Sequence, residues 1–280
     1  MDLAIPGKTF LAGEYSVLLG GSALGLATKP CFEVRAVSHN AFVFHPQSPA
    51  GRYLKINSLP APAVQISDPY SQGGFGKSTA EFFAVVFLKL RKNNFTEIRK
   101  NYIDLYAPEK VKPSGADLAF QYFGHVCEAN LRENKFESFR WPFAELDFLI
   151  VATGLKIATH DHLAALDLDC IKHLPEISDQ VIQAFKKESV LEFLAAMKIW
   201  TEALESAGLT HENSLKIKNL LKDNKDILLV KPCGALGADV LLVFCKSSHS
   251  DRVAEFVKHK NLKVVATGRD LCEGIVSYVG

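Results

Sequence analysis

The sequence predicts an α+β protein of two domains, and three observations point to that class. The 280 residues are enough to bury a large core and to divide into two domains. The first half carries short segments in which apolar and polar residues alternate, as in antiparallel strands, next to apolar helical segments. The second half interleaves helical segments with short apolar strands, which is the pattern of an α/β layer.

The composition argues against several classes of binding partner. Lys and Arg total 32 against 31 Asp and Glu, so the net charge of +1 provides no overall field for nucleic acid or an anionic membrane. Six scattered cysteines form no CxxC pair and no zinc-site spacing, which indicates buried thiols in a reducing compartment. The first residues lack a signal-peptide pattern, and the apolar runs are shorter than the ~20 residues that cross a bilayer. We therefore expect a cytoplasmic protein with no nucleic-acid or membrane partner, in which any bound polyanion is small and locally held.

Strands and helices are expected in turn along the first half. Alternating or apolar residues predict three short strands of an antiparallel sheet, at residues 32–37, 41–44 and 53–56. The proline-rich residues 59–69 are expected to form an exposed connection, because proline lacks a backbone donor and restricts the residue before it. Two helices should follow, at residues 79–92, which are apolar almost all round, and at residues 116–129.

The second half is expected to form the other domain. A largely apolar strand is expected at residues 146–152, and a domain boundary just after it gives domains of residues 1–155 and 156–280. The other expected elements are helices at residues 188–206 and 251–258 and strands at residues 226–230, 240–244, 262–266 and 274–279. The apolar stripe of the first of these helices is expected to be core rather than a cofactor site.

Glycine-rich stretches lie at residues 7–25, 73–76 and 234–237, and the second has the form of a phosphate site. It precedes a predicted helix, whose N-terminal N–H groups and dipole favour negative charge. Lys77 adds a positive charge there, and Ser78 adds a hydroxyl that can coordinate Mg²⁺. The plainer alternative is a tight turn into the helix that needs glycine for positive φ.

The same stretch partly matches the P-loop pattern G-x-x-x-x-G-K-[ST]. The first glycine of that pattern would stand where the chain has Ser71. The upstream segments look antiparallel, whereas a P-loop belongs to a βαβ unit, and no later apolar strand ends in a Mg²⁺-binding Asp. A P-loop NTPase is therefore the runner-up interpretation.

Four segments, in this order along the chain, resemble the motifs of the GHMP small-molecule kinases. They are PGKTFLAGEYSV at residues 6–17, GGFGKSTA at 73–80, KPSGADLA at 112–119 and KPCGALGAD at 231–239. The third resembles the acidic segment of the mevalonate-pathway members of that family. The resemblance implies the two-domain GHMP kinase fold, with a ribosomal-protein-S5-domain-2-like N-terminal α/β domain, a ferredoxin-like C-terminal α/β domain and the active site between them.

The resemblance also implies an ATP-dependent kinase that uses Mg²⁺, and it gives each matching residue a role. Lys8 would lie near the reacting oxygen and stabilise the charge that develops during transfer, and Asp117 would accept or orient the proton of the attacking hydroxyl. The implied ATP-binding residues are Gly73, Gly74, Gly76, Lys77, Ser78 and Thr79, with Ser78 also the metal ligand. The implied substrate-binding residues are Glu14, Tyr15, Ser114, Gly115, Gly234, Ala235 and Gly237. The plain alternatives are a solvated strand lysine at position 8 and a helix-start carboxylate at position 117.

Two of the glycine loops depart from the family pattern. The second usually reads Gly-Leu-Gly-Ser-Ser-Ala, and this chain has Phe75, Lys77 and Thr79 in place of the Leu, the first Ser and the Ala. The third has Leu236 and Ala238 where glycines are usual. The acid nearest the family's Mg²⁺-binding glutamate, residue 109, has the wrong spacing and is not assigned as a ligand. A non-catalytic nucleotide or metabolite sensor is therefore kept as a competing hypothesis.

The details resemble the phosphomevalonate kinase branch of the family more than the mevalonate kinase branch. They are Gly13-Glu14-Tyr15, Asp117-Leu118-Ala119, Asp239, and Thr153-Gly154 with Thr159 and His162-Leu163. A phosphorylated acceptor needs extra cations, for which Lys112, Lys156 and Lys77 are candidates that have a solvated-surface alternative. We expect phosphomevalonate as the acceptor, in isoprenoid precursor synthesis, with mevalonate or another GHMP kinase acceptor as the alternative. A homodimer stays open.

Overall fold

The computed structural model describes residues 2–38, 42–70, 73–90, 94–109, 111–155, 166 and 168–278. This part of the chain combines helices with two sheets, which confirms the predicted α+β class. Its strands are β1 (Asp2–Ala12), β2 (Ser22–Ala36), β3 (Val64–Ser67), β4 (Val126–Asn130), β5 (Lys135–Phe139), β6 (Leu146–Ala152), β7 (Ile227–Cys233), β8 (Val240–Lys246), β9 (Lys263–Thr267) and β10 (Val276–Tyr278).

Helices follow the strands in both halves. They are α1 (Pro49–Ile56), α2 (Lys77–Leu90), α3 (Phe95–Asp104), α4 (Ala116–Phe123), α5 (Leu174–Lys186), α6 (Val190–Ser206), α7 (Glu212–Leu221) and α8 (Ser250–His259). Helices α2 and α6 confirm two of the predicted buried helices within a few residues at each end. None of the helices in the described ranges has the length and apolar character needed to span a bilayer.

The two sheets have different strand orders, and every pairing between these strands is antiparallel. The first sheet has the order β10-β1-β2-β4-β5, with β3 also paired to β2. The second has the order β7-β8-β6-β9. A P-loop NTPase needs parallel strands joined by a helix, so the runner-up interpretation of the second glycine loop is wrong.

Three predictions for the first half are also wrong. Residues 53–56 lie in α1, because the hydroxyl of Ser48 accepts the N–H of Gly51 at 3.2 Å and Pro49 takes the first helical position. Part of the expected proline-rich connection is strand β3, which pairs with β2. Residues 42–44 form no strand, and Ala41 lies outside the described residues.

The predicted helix over residues 116–129 is too long at its C-terminal end. Helix α4 ends at Phe123, and Gly124 follows with φ 77° and ψ −175°, a conformation that favours glycine. A Cβ at Gly124 would also lie 2.1 Å from the backbone nitrogen of Gly274. The chain then continues as strand β4, which pairs with β2 on one side and with β5 on the other.

The division of the chain at residue 155 stays a prediction, but it does not coincide with the division between the sheets. Strand β6 precedes that position and pairs with β8 and β9 of the second sheet. Strand β10 follows it and pairs with β1 of the first sheet. One hydrophobic core contains buried side chains from both sheets, among them Leu26, Phe148 and Phe244.

Helix α4 packs unusually close to the first sheet, and this contact fixes its position. The ring of Phe120 in α4 is fully buried and lies edge-on to Phe10 of β1, with centroids 4.9 Å apart. A Cβ added to Gly25 of β2 would lie 2.1 Å from a ring carbon of Phe120. Only a residue without a side chain lets the helix lie this close to the strand.

Replacing Gly25 with Ala should destabilise the fold by about 1–3 kcal/mol, because the added methyl group overpacks the contact with Phe120. Urea denaturation measures the change in unfolding free energy. A double variant that also carries Phe120→Leu should recover part of the loss, since the leucine vacates the space of the ring. Full stability of Gly25→Ala alone would contradict this packing.

Candidate active site

The second glycine loop lies directly beside Lys8 of strand β1. The backbone N–H of Lys8 donates to the carbonyl oxygen of Phe75 at 3.0 Å. Gly76 has φ 87°, and a Cβ there would lie 2.9 Å from Cγ of Lys8. The loop can therefore approach the lysine only because position 76 has no side chain.

Lys8 and Asp117 face each other, as the motif resemblance predicts. The Nζ atom of Lys8 lies 3.1 Å from Oδ2 of Asp117, with 12% and 33% of the two side chains exposed. Asp117 stands in the first turn of α4, where a carboxylate is favoured by the helix dipole. The pair is partly shielded from water, so its charges act more strongly than those of a surface ion pair.

Helix α3 contacts the turn that precedes Asp117, at Ser114 and Gly115. Ser114 accepts the N–H of Ala116 on its hydroxyl at 3.2 Å, and Gly115 caps α4 with φ 75°. Arg99 donates from Nε to the carbonyl of Ser114 at 3.0 Å, and a Cβ at Gly115 would lie 2.9 Å from its Cγ. Ser114 and Gly115 thus shape the turn that presents Asp117, and their predicted contact with substrate stays a prediction.

The second loop and the first turn of α2 present one exposed hydroxyl and one exposed cation. Ser78 is exposed, and Lys77 lies with Nζ 3.3 Å from Oδ2 of Asp68. The hydroxyl of Thr79 is buried and shared between the carbonyl of Gly76 at 2.8 Å and Oε1 of Gln121 at 2.5 Å. The side chain of Thr79 is therefore directed inward, and only its backbone is left for the predicted ATP contact.

Phe75, at the family's leucine position, has a matching partner in Tyr70. The two rings stack with centroids 4.1 Å apart and an interplanar angle of 10°. The hydroxyl of Tyr70 donates to the carbonyl of Pro30, and burial raises the pKa of this phenol, so it stays protonated. A Cβ at Gly7 would lie 2.1 Å from that hydroxyl, which explains the glycine before Lys8.

The third glycine loop meets the second at Asp239. A Cβ at Gly74 would lie 2.6 Å from Cβ of Asp239, and a Cβ at Gly234 would lie 2.3 Å from its Oδ2. Both glycines have positive φ, 100° and 93°. Leu236, at a position where the family has glycine, takes a left-handed conformation with φ 50°. Thr153, at the end of β6, donates its N–H to the carbonyl of Asp239 at 3.3 Å.

Glu14 and Tyr15 join the first motif to the third. Nζ of Lys231 lies 2.5 Å from Oε1 of Glu14, and the two side chains are 0% and 7% exposed. The hydroxyl of Tyr15 accepts the N–H of Leu236 at 2.9 Å. In this structure their polar groups contact the third motif, and their predicted contact with substrate stays a prediction.

The environment of Lys231 keeps it charged. Burial lowers the pKa of this ammonium, but the Glu14 carboxylate beside it outweighs that effect, and the pKa is raised overall. Burial raises the pKa of the Cys233 thiol to about 11, so this thiol stays neutral near pH 7. Lys231 also donates to the carbonyl of Phe10 at 3.3 Å, which ties strand β7 to β1.

Several other sequence-based candidates lie apart from this arrangement or outside the described residues. Glu109 pairs with Arg52 at 2.6 Å. Lys112 is exposed. Gly73 and Gly237 belong to the second and third loops, as expected. Of the residues named in the sequence analysis, five lie outside the described ranges: Ser71, Lys156, Thr159, His162 and Leu163. The side chain of Ala235 is not described either.

Sequence reasoning missed four residues that surround the site. They are Asp68, Tyr70, Arg99 and Gln121. Gln121 alone carried a signal, because it stands four residues after Asp117 and so on the same face of α4. The other three contact the motifs only through the tertiary fold.

The donor groups fit a nucleotide that brings its own Mg²⁺. Gly74 brings the loop backbone close to Asp239, and Gly76 brings it close to Lys8. The N-terminus of α2 offers N–H groups beside Lys8 and Lys77. Within the described ranges, no cluster of three or more His, Cys, Asp or Glu could hold a metal ion by itself. Mg²⁺ commonly takes one or two protein ligands and completes its shell with phosphate and water, for which the exposed hydroxyl of Ser78 is suited.

The chain has the fold of the GHMP small-molecule kinases, as comparison with solved structures shows. Phosphomevalonate kinase from Streptococcus pneumoniae, solved with phosphomevalonate and AMPPNP, superposes with a TM-score of 0.72 at 13% identity over 95% of this chain and 99% of that one. Galactokinase from Lactococcus lactis, solved with galactose, gives 0.74 at 11% identity over 98% and 94% of the two chains. Mevalonate kinase from Methanococcus jannaschii gives 0.68 at 17% identity over 95% and 97%. At the level of sequence, no family model and no curated protein matches.

Replacing Lys231 with Met should destabilise the protein by about 3–5 kcal/mol, because the variant leaves the buried Glu14 carboxylate without its ammonium partner. Urea denaturation measures the loss. Adding Glu14→Gln should restore part of it, since the buried negative charge is removed.

Lys216→Met is the matched control. Lys216 and Glu212 lie 2.5 Å apart but are 70% and 75% exposed, and an exposed pair is worth only about 0–1 kcal/mol. Equal losses for Lys231→Met and Lys216→Met would contradict the buried environment of the first pair.

Proposed function

We propose that the protein is an ATP-dependent kinase that transfers the γ-phosphoryl group of MgATP to the hydroxyl of a small molecule. The observation that carries the proposal is the ion pair between Lys8 and Asp117 beside the second glycine loop. The pair joins a positive charge and a carboxylate at the place where a helix N-terminus can receive phosphate. The fold shared with kinases supports the same conclusion.

In the proposed reaction, the oxygen of the acceptor hydroxyl attacks the γ-phosphorus of ATP. The new oxygen–phosphorus bond forms as the bond to the β–γ bridging oxygen breaks, and ADP leaves. Asp117 accepts the proton of the hydroxyl, and the ammonium of Lys8 stabilises the negative charge on the transferred group. Mg²⁺ bound with the nucleotide would neutralise phosphate charge. The protein mainly aligns the reactants, which is the larger part of catalysis in phosphoryl transfer.

Phosphomevalonate is the acceptor we propose, with mevalonate as the alternative. The support is the resemblance of the motifs around Tyr15, Asp117 and Asp239 to the phosphomevalonate branch. A phosphorylated acceptor would also be attracted by exposed cations, of which Lys112 and Lys77 lie in or beside the motif segments. The pathway, isoprenoid precursor synthesis, follows from that choice of acceptor.

A non-catalytic sensor of nucleotides is the competing proposal from another class. It is motivated by the altered residues of the second and third loops, including Leu236 in a left-handed conformation. A coupled assay of ADP release with mevalonate, phosphomevalonate, homoserine and galactose separates the two. Release with one acceptor supports the kinase, and the acceptor with the highest kcat/KM identifies the substrate. ATP binding without release in all four assays supports the sensor.

Replacing Asp117 with Asn should lower kcat by about 10²–10⁴-fold, because the amide cannot accept the hydroxyl proton. The dissociation constant of ATP should change far less, since the proposed ATP contacts belong to the second glycine loop and the start of α2. Steady-state kinetics and isothermal titration with a non-hydrolysable ATP analogue give the two quantities.

Asp104→Asn provides the control for that variant. Asp104 pairs with Lys100 at 2.9 Å on the exposed face of α3, so its loss removes a similar ion pair away from the site. This variant should retain the turnover of the wild type. Near-normal turnover of Asp117→Asn would remove Asp117 from the mechanism.

A further inference from the structure

A fully buried carboxamide connects the parts of the candidate active site. Gln121 of α4 donates from Nε2 to the carbonyl of Pro6 at 2.8 Å and to the carbonyl of Gly76 at 3.2 Å. Its Oε1 accepts the hydroxyl of Thr79 at 2.5 Å. Both hydrogens of the amide and its oxygen are therefore used inside the protein.

Each of these bonds reaches a segment that carries a proposed catalytic or phosphate-binding group. Pro6 stands two residues before Lys8 on β1, and Gly76 ends the second glycine loop. Gln121 itself stands one turn after Asp117 on α4. The side chain thus connects the backbone positions from which the lysine, the carboxylate and the loop all project.

We propose that Gln121 and Thr79 are positioning residues. Together they set the distance between Lys8 and Asp117 and the position of the second glycine loop. Gln121 acts through these groups, because its own side chain is buried and makes its bonds within the protein. The inference rests on the proposed kinase function and deepens it. Small displacements of reacting groups are costly in catalysis, and a shift of about 1 Å can lower the rate about 10²-fold.

The hydrogen-bonding partners at position 121 favour glutamine over glutamate and methionine, which have similar sizes. Two of its partners are carbonyl oxygens and the third is a hydroxyl, so the side chain must offer two donors and one acceptor. An ionised glutamate would turn an oxygen toward the two carbonyls, and methionine would leave both without a donor. Thr79, where the family usually has alanine, supplies the hydroxyl that the amide oxygen needs. The two residues form a matched pair.

The first test compares Gln121→Met and Thr79→Ala with the wild type in steady-state kinetics. Gln121→Met should lower kcat about 10–10²-fold with a smaller change in KM, because misalignment affects the transition state more than binding. Thr79→Ala should lower kcat in the same direction but less. The double variant should add little to Gln121→Met, since the two side chains belong to one network.

Thr201→Ala is the matched control for a buried threonine. Thr201 of α6 is buried and donates to the carbonyl of Met197 at 2.8 Å, apart from the glycine loops. It should lower thermal stability to a degree similar to Thr79→Ala and leave kcat unchanged. Wild-type kcat in Gln121→Met, or an equal loss of kcat in Thr201→Ala, would overturn the proposal.

A second test does not depend on catalysis. A brief pulse of acetic anhydride followed by mass spectrometry measures how readily each lysine is acetylated. Lys8 is shielded and paired in the wild type, so its labelling should rise in Gln121→Met and in Thr79→Ala toward the level of Asp117→Asn. The side chain of Lys231 is fully buried, so this lysine should stay unlabelled in the wild type and in all three variants.

This labelling test separates failure of the inference from failure of the proposed function. If the wild type releases no ADP with any acceptor, the kinase proposal fails, yet a selective rise at Lys8 still supports the positioning role. Unchanged labelling of Lys8 in both variants overturns that role even in an active kinase. A parallel rise at Lys8 and Lys231 also overturns it, because it indicates general loosening of the fold. If Gln121→Met does not fold, the Thr79→Ala results decide.

Discussion

The arrangement of the site depends on one short contact, the hydrogen bond from the backbone of Lys8 to the carbonyl of Phe75. It places a glycine loop edge-on against a strand, so both backbones must come closer than most side chains allow. Gly7 and Gly76 make this approach possible, the first against Tyr70 and the second against Lys8. Once the loop is seated there, the N-terminus of α2 lies beside the lysine, and α4 brings Asp117 to the other side.

The unusual residues of the second loop are explained by partners elsewhere in the fold. Phe75 stacks on Tyr70, Lys77 pairs with Asp68, and Thr79 bonds to Gln121. Each departure from the family pattern is thus accompanied by a residue that suits it. The altered residues of the loop are therefore held by specific contacts in this fold.

The sequence predicted the parts of the site that depend on local pattern. Short motifs specify turns and helix starts, and the sequence therefore identified Lys8, Asp117 and the loop glycines. In the fold, Lys8 lies beside both Asp117 and Gly76. The sequence could not reveal that Glu14 is buried against Lys231, because the two residues are 217 positions apart and neither shows its burial in its neighbours. The helix α1 was missed although Ser48 and Pro49 carry a start signal, since the apolar residues after them suit a strand equally well.

The pairing of β6 and β10 has a consequence for how such a protein can be divided. Strand β6 finds its partners only in the later half of the chain, and β10 returns to the first strand. Glu14 and Lys231 add a buried charge to each half that only the other half neutralises. The halves are therefore not modules: a hybrid that takes one from a distant homologue would inherit unmatched strand edges and an uncompensated charge unless both sides were exchanged together.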